Sequence, residues 1–200
     1  MTSALKNIQL LVPSFDDGLS VMNALGHRHT SREFAPQPLS LRDISGILWS
    51  AYGINRPDGR RTTPSAIGVY PLRIYVFTSE GVYLYRPDRN LLEEKVAGDY
   101  RMMAGTQDFV ETAPMSLLIF SDYAEFDSAD PRMAALIKGH EERASALDAG
   151  ASAENMYLYC SENNINTVER MMVDEQGVKK FLGLPDSCHF MTAMSMGYPR

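Results

Sequence analysis

Two stretches carry residue types suited to holding an anionic, flat ligand. The first is His27 to Phe34, HRHTSREF, with Arg28 and Arg32 four apart and Thr30 and Ser31 between them. Clustered guanidinium and hydroxyl donors suit a phosphate or a carboxylate, because arginine offers several N–H groups in a rigid fork and stays charged. A solvated basic turn has the same composition. The second stretch is Arg60 to Pro71, RRTTPSAIGVYP. Thr62, Thr63 and Ser65 supply short hydroxyl donors, and Pro64 fixes φ. Ala66 and Gly68 leave the main chain open to close approach. An ordinary Pro/Ser/Gly connection before a strand reads the same way, and the stretch gains weight only beside the first. His27 and His29 would share one face of an extended segment, but no other ligand cluster accompanies them, so no metal site is read.

The chain that must position these residues has 200 residues, 44% hydrophobic and 22% charged, which suits one domain with a full core. A net charge of -6 argues against nucleic acid as the main partner, since phosphate backbones need a basic surface. No apolar run approaches the roughly 20 residues of a membrane span. The start, MTSALKNIQLLVP, lacks an apolar signal-peptide core and a small-residue cleavage site. Cys160 and Cys188 belong to no C-x-x-C motif, so buried free thiols in a reducing, cytoplasmic compartment are expected, with a disulfide as the alternative. The 12 methionines read as core filler.

Residues 1–17 read as an extended arm, with Asp16 and Asp17 as N-cap candidates for a helix from Leu19 to Leu25 and Gly26 at its end. Ser40 caps a helix with Asp43 three residues on, and Leu41, Ile44, Ile47, Leu48 and Ala51 form its apolar face. Arg73–Phe77 and Val82–Tyr85 read as two strands around Ser79–Gly81, and Asp99 as the cap of a helix through Val110. The run Met115–Phe120 is continuously apolar, as for a strand buried on both faces. Residues 131–163 read as helical with breaks at Gly139 and Gly150. Ala149, Ala153, Met156, Tyr157 and Cys160 share one face of the second half. Asn164–Met172 reads as a loop, Val178–Leu182 as a short helix and Cys188–Met196 as a strand. Together these make one α+β domain over residues 1–200.

Several of these segments resemble the FMN-dependent nitroreductase family in order. RHTSREF is similar to its first signature, R-[RH]-[ST]-x-[RK]-x-F. LWSAYGINRPDGRRTTPSAIGVYPLRIYVF resembles the central block of the SagB-like dehydrogenase branch, including the P-S-A element. GVYLYRPDRNLLEEKVAGDYR, QDFVETAPMSLLIF, AENMYLYCSENNINTVERMM and the terminal GYPR follow in the expected order.

The resemblance implies a nitroreductase-like α/β sandwich with a mainly antiparallel central sheet flanked by helices. It also implies a domain-swapped-style homodimer with FMN at the interface. Arg28, Thr30 and Arg32 should then hold the phosphate, ribityl or pyrimidine end of the flavin, with His29 contributing mainly backbone. Pro64, Ser65 and Ala66 would come from the other subunit, with Gly68 close by. Thr167, Val168 and Glu169 should lie along the N5 side of the ring, where the family usually offers a backbone N–H. Where relatives carry Gly-Leu-Gly-Thr-Val or Pro-x-Glu-Gly, this chain has Asn-Ile-Asn-Thr-Val-Glu-Arg. The N5 donor is therefore open, and Arg170 brings a further charge toward the pocket. Many relatives have a basic clamp beyond the GYP element, which leaves Arg200 as the C-terminal basic partner here.

The implied activity passes hydride or electrons from NAD(P)H through FMN to a nitroaromatic or quinone type of acceptor. The alternatives are a SagB-type dehydrogenase of a modified peptide and a flavin-binding dimer with little turnover. No side-chain nucleophile is needed, in keeping with the lack of a Ser/His/Asp or Cys/His arrangement.

Overall fold

The run Met115–Phe120 is the middle of a strand, β5 (Met115–Asp122), in which every residue is buried. In the computed structural model, which describes residues 6–15 and 18–200, β5 lies inside a seven-stranded sheet. The other strands are β1 (Ile8–Gln9), β2 (Leu72–Thr78), β3 (Gly81–Arg86), β4 (Leu91–Ala97), β6 (Asn166–Arg170) and β7 (Cys188–Gly197). Their order is β1-β4-β3-β2-β5-β7-β6, and every neighbouring pair is antiparallel.

Among the described residues six α-helices accompany the sheet: α1 (Val21–His27), α2 (Leu41–Tyr52), α3 (Asp108–Thr112), α4 (Pro131–Ile137), α5 (Glu141–Glu162) and α6 (Glu175–Leu182). On one face Ile74, Leu117, Ile119 and Met194 pack with Leu48 and Ala51 of α2 and Ala153, Met156 and Cys160 of α5. On the other, Phe77, Leu118, Phe120 and Ala193 pack with Ala104, Val110 of α3 and Val178 of α6. Apolar layers on both sides explain why β5 reads as an unbroken hydrophobic run although its pairing is antiparallel. The architecture is thus an α+β sandwich with a central antiparallel sheet, as the resemblance implied.

Local chemistry sets the element ends. Ser40 Oγ accepts the Asp43 N–H at 3.1 Å and donates to Asp43 Oδ2 at 2.6 Å, so the cap of α2 forms as expected. Gly139, at φ 79, separates α4 from α5. Gly150 does not break α5: the helix continues through it, and the buried face from Ala144 to Cys160 packs it on the core, which outweighs a single glycine.

Other expectations are corrected. Asp16 and Asp17 lie outside the described residues, and the cap of α1 is Ser20, whose side chain accepts the Asn23 N–H at 3.2 Å. Gly26 stays helical inside α1. The helix expected from Asp99 to Val110 is instead a 3₁₀ turn (Arg101–Ala104) followed by α3. Gly105 separates them where the Arg170 guanidinium fills the space a Cβ would need. Asn164–Met172 contains the strand β6 rather than a loop, because pairing with β7 overrides the turn preference of its asparagines. Cys160 and Cys188 are free and buried. Among the described residues no helix is long and apolar enough to cross a membrane, and no group of His, Cys, Asp and Glu could hold a metal ion.

Candidate functional site

Among the described residues β6 ends the sheet, and one side of its backbone has no strand partner. Residues 31–35 cover that side. Ser31 N–H donates to Thr167 O at 3.0 Å, and the Asn166 side-chain amide donates to Glu33 O at 2.7 Å. The C-terminal tail lies on the same segment: Ala35 N–H donates to Tyr198 O at 2.8 Å and Arg200 Nε to Phe34 O at 3.0 Å. Tyr198 Oη in turn donates to Asp43 Oδ2 at 2.5 Å and so anchors the tail to the start of α2.

Tyr157 of α5 joins this strip to β6. Its Oη accepts the Glu169 N–H at 2.8 Å and meets Thr30 Oγ1 at 3.1 Å. The Arg28 guanidinium lies 5.2 Å from its ring centroid, a cation–π contact. One buried tyrosine therefore ties Arg28 and Thr30 of the first basic stretch to Glu169. Sequence periodicity places Tyr157 on the apolar face of α5 and gives no hint of this role. The available signal was chemical: a buried tyrosine needs a partner for its hydroxyl.

The donors along this edge fit a flavin phosphate. Among the described residues none of Arg28, Arg32 and Arg200 forms a salt bridge with a carboxylate. The Arg28 guanidinium and the Thr30 hydroxyl, both against Tyr157, are donor types that a dianionic phosphate requires, and Arg32 and Arg200 stand on the same strip. His29 turns its Nδ1 back to His27 O at 2.9 Å, leaving its main chain for the strip. Val168 packs with Phe34 and Ala113, fixing the strip to the sheet.

The second stretch lies elsewhere on the same helix. Ala66 N–H donates to Asp148 Oδ1 at 3.3 Å, and Ser65 Oγ accepts the Tyr70 N–H at 2.9 Å. Ile67 and Tyr70 adopt φ 50 and φ 59, left-handed backbone that a β-branched or bulky side chain rarely takes. The Asp148 clamp holds the loop in that strained shape. Asp148 is buried, and that burial raises its carboxyl above the usual carboxylate range, against hydrogen bonds from Ser65 and Ala66 that lower it. Arg61 lies 4.1 Å over the Tyr52 ring and 5.2 Å from that of Tyr70. Pro64 and Gly68 are exposed.

Residues 148 and 157 of α5 are separated by about 13 Å along the axis at ~1.5 Å per residue. Arg28, Thr30, Arg32, Thr167, Val168, Glu169 and Arg200 thus belong to one edge, while the Pro64–Gly68 loop is held near the other end of α5.

A basic strip along the edge of an antiparallel α+β sheet agrees with what sequence comparison finds. The profile of the Nitroreductase family matches residues 25–198, and the chain belongs to that family. It is 31% identical over 171 residues to a Methanocaldococcus jannaschii protein provisionally named a nitroreductase, covering 80% of this chain and 82% of that protein. A crystal structure from Ralstonia eutropha, also provisionally named a nitroreductase, is 34% identical and superposes with a TM-score of 0.86 over 97% of this chain and 90% of that one. A Desulfovibrio desulfuricans structure of the same provisional class, in complex with FMN, shares the fold at 19% identity. Its TM-score is 0.61, with 90% of this chain and 86% of that chain covered. Family membership makes the protein an oxidoreductase.

Proposed function

We propose that this oxidoreductase binds FMN along the β6 edge and works as a homodimer. It passes electrons from NAD(P)H to an electron-poor acceptor of the nitroaromatic or quinone type. The observation that carries the reading is the Tyr157 junction, which brings Arg28 and Thr30 against Glu169. Bound FMN would supply the redox chemistry. Arg28, Arg32 and Arg200 would neutralise its phosphate end, Thr30 would donate a hydroxyl, and His29 would offer backbone. Thr167, Val168 and Glu169 would line the N5 side, with Tyr157 fixing the main chain of Glu169.

The homodimer follows from two features. Pro64, Ser65, Ala66 and Gly68 are held at Asp148, about two and a half turns of α5 from the Tyr157 junction, and in keeping with the family resemblance a partner's copy would supply them. The arm and α1 also expose Val12, Phe15, Val21 and Met22, an apolar surface suited to an interface. One FMN-binding domain spans residues 1–200. The lack of a disulfide between the buried thiols of Cys160 and Cys188 is in keeping with a reducing, cytoplasmic setting.

The test is a visible absorption spectrum of the purified protein before and after NADH is added without air. Flavin bands that bleach support the reading, and absence of flavin after incubation with FMN overturns it. A second reading, a flavin-binding dimer with little turnover, is favoured by one contact: the Glu169 N–H is already taken by Tyr157 Oη. Flavin bands that persist with both NADH and NADPH would select it. Bleaching by another donor, a modified peptide, would instead indicate a SagB-type dehydrogenase.

A further inference from the structure

Side chains alternate along a strand, so Arg170 points to the sheet face opposite Glu169. It is 6% exposed and lies beneath the 3₁₀ turn Arg101–Ala104. Its Nε donates to Ser195 Oγ at 3.0 Å and its Nη1 to Ala104 O at 2.8 Å, while Nη2 is buried without a partner. Gly105 makes the room, since a Cβ there would collide with the guanidinium. Among the described residues no carboxylate forms a salt bridge with Arg170.

A buried cation without a counter-charge is costly to a fold. Hydrogen bonding alone does not explain it. Ser195 Oγ already has Ser116 Oγ at 2.7 Å, so it does not depend on the Arg170 Nε for a partner. Burial lowers the guanidinium to about 10, which leaves it charged at neutral pH. Positive charge is what arginine adds here beyond a neutral donor. Poorly screened by water, that charge acts beyond its immediate contacts.

We propose that Arg170 is a fixed cation behind the β6 edge whose charge is compensated when bound flavin is reduced, so that the protein holds reduced FMN more tightly than oxidised FMN. The inference rests on the FMN reading above. Two electrons and one proton delivered from NAD(P)H leave the flavin ring with one added negative charge, and a nearby cation favours that form. Arg170 needs no contact with the flavin for this. It acts through the field across the strand, beside the main chain of Thr167–Glu169.

The experiment compares the wild type with Arg170→Gln, Arg170→Met and Arg170→Lys. Affinity for oxidised FMN is read by flavin fluorescence quenching, and the potential of bound FMN by anaerobic titration against a reference dye. Melting of the FMN-free proteins is followed in parallel. In the Gln and Met variants the ratio of reduced to oxidised affinity should fall at least tenfold, a potential about 30 mV lower for a two-electron couple. Lys should keep the wild-type ratio, and Met should melt no lower than the wild type. A potential unchanged in the Gln variant, with FMN bound, overturns the role of Arg170 and leaves the FMN reading standing. A wild type that does not bind FMN overturns both. A purely structural arginine would lower melting in Gln and Met alike and leave the potential where it was. If the Met variant does not fold, the Gln and Lys pair decides the matter.

Discussion

Tyr157 Oη accepts the Glu169 N–H at 2.8 Å, so the free edge of β6 is satisfied at this point by a side chain from α5 rather than by another strand. The same oxygen meets Thr30. Tyr157→Phe keeps the ring under Arg28 but leaves a partly buried N–H without an acceptor. The expected cost is about 1–3 kcal/mol of stability, read from the urea midpoint. FMN affinity should fall as well, because Thr30 loses its tether. A variant with unchanged midpoint and unchanged FMN affinity would remove Tyr157 from the site.

Arg28→Ala tests the anion end. A charged hydrogen bond to phosphate contributes roughly 1.5–3 kcal/mol, so FMN should bind about ten- to a hundredfold more weakly by fluorescence titration. Fold stability should change little, since the truncation removes a single, partly exposed cation–π pair with Tyr157, worth about 0.5–1 kcal/mol. Equal FMN affinity in wild type and variant would take Arg28 out of the phosphate site.

The parts of this molecule legible in the sequence are those governed by local rules. The apolar run of β5, the Ser40–Asp43 cap and the break at Gly139 each follow from a handful of neighbouring residues. β4 is hidden because Glu93, Glu94 and Lys95 suggest an exposed segment, yet they find partners only in the folded sheet. Glu93 pairs with Arg86 and Lys95, and Glu94 accepts the backbone N–H of Lys6 at 2.5 Å. β6 is hidden for the same reason, since its pairing partner β7 is remote in the chain. At the candidate site, charge and small residues mark Arg28–Arg32 and Pro64–Gly68. Tyr157, Asp148 and the buried placement of Arg170 depend on tertiary contacts that no periodicity reports.

Asp148 gives a pH signature. Burial raises its native carboxyl above the unfolded value, so the folded protein binds a proton more readily than the unfolded chain. Stability contributed by this group is fully present below the ordinary carboxylate pKa of about 3.9. It declines as pH rises through the raised native value. Asp148→Asn keeps an oxygen for the Ala66 N–H and removes the buried charge. Its urea midpoint at neutral pH should equal or exceed that of the wild type, and this part of the decline should vanish. Asp148→Ala instead strips the strained loop of its acceptor and should cost about 1–3 kcal/mol. Identical pH profiles for wild type and Asn variant would show that the carboxyl is not raised in the folded state.

Close packing of α2 on α5 depends on Gly46. It is buried, and an added Cβ would fall within the ring of Tyr159. That ring is partly buried and packs on the core shared by both helices, so moving it gives up apolar contact. Alanine normally favours a helix over glycine by about 1 kcal/mol. Here the overlap should reverse the sign, because small-to-large changes in a filled interface cost about 1–3 kcal/mol. Gly46→Ala is therefore expected to lower the urea midpoint. Combining it with Tyr159→Leu, which removes the ring, should recover part of the loss. An alanine variant more stable than the wild type would mean that the helices can separate without penalty. The alignment of Tyr157, two residues from Tyr159 on α5, would then need another source of rigidity.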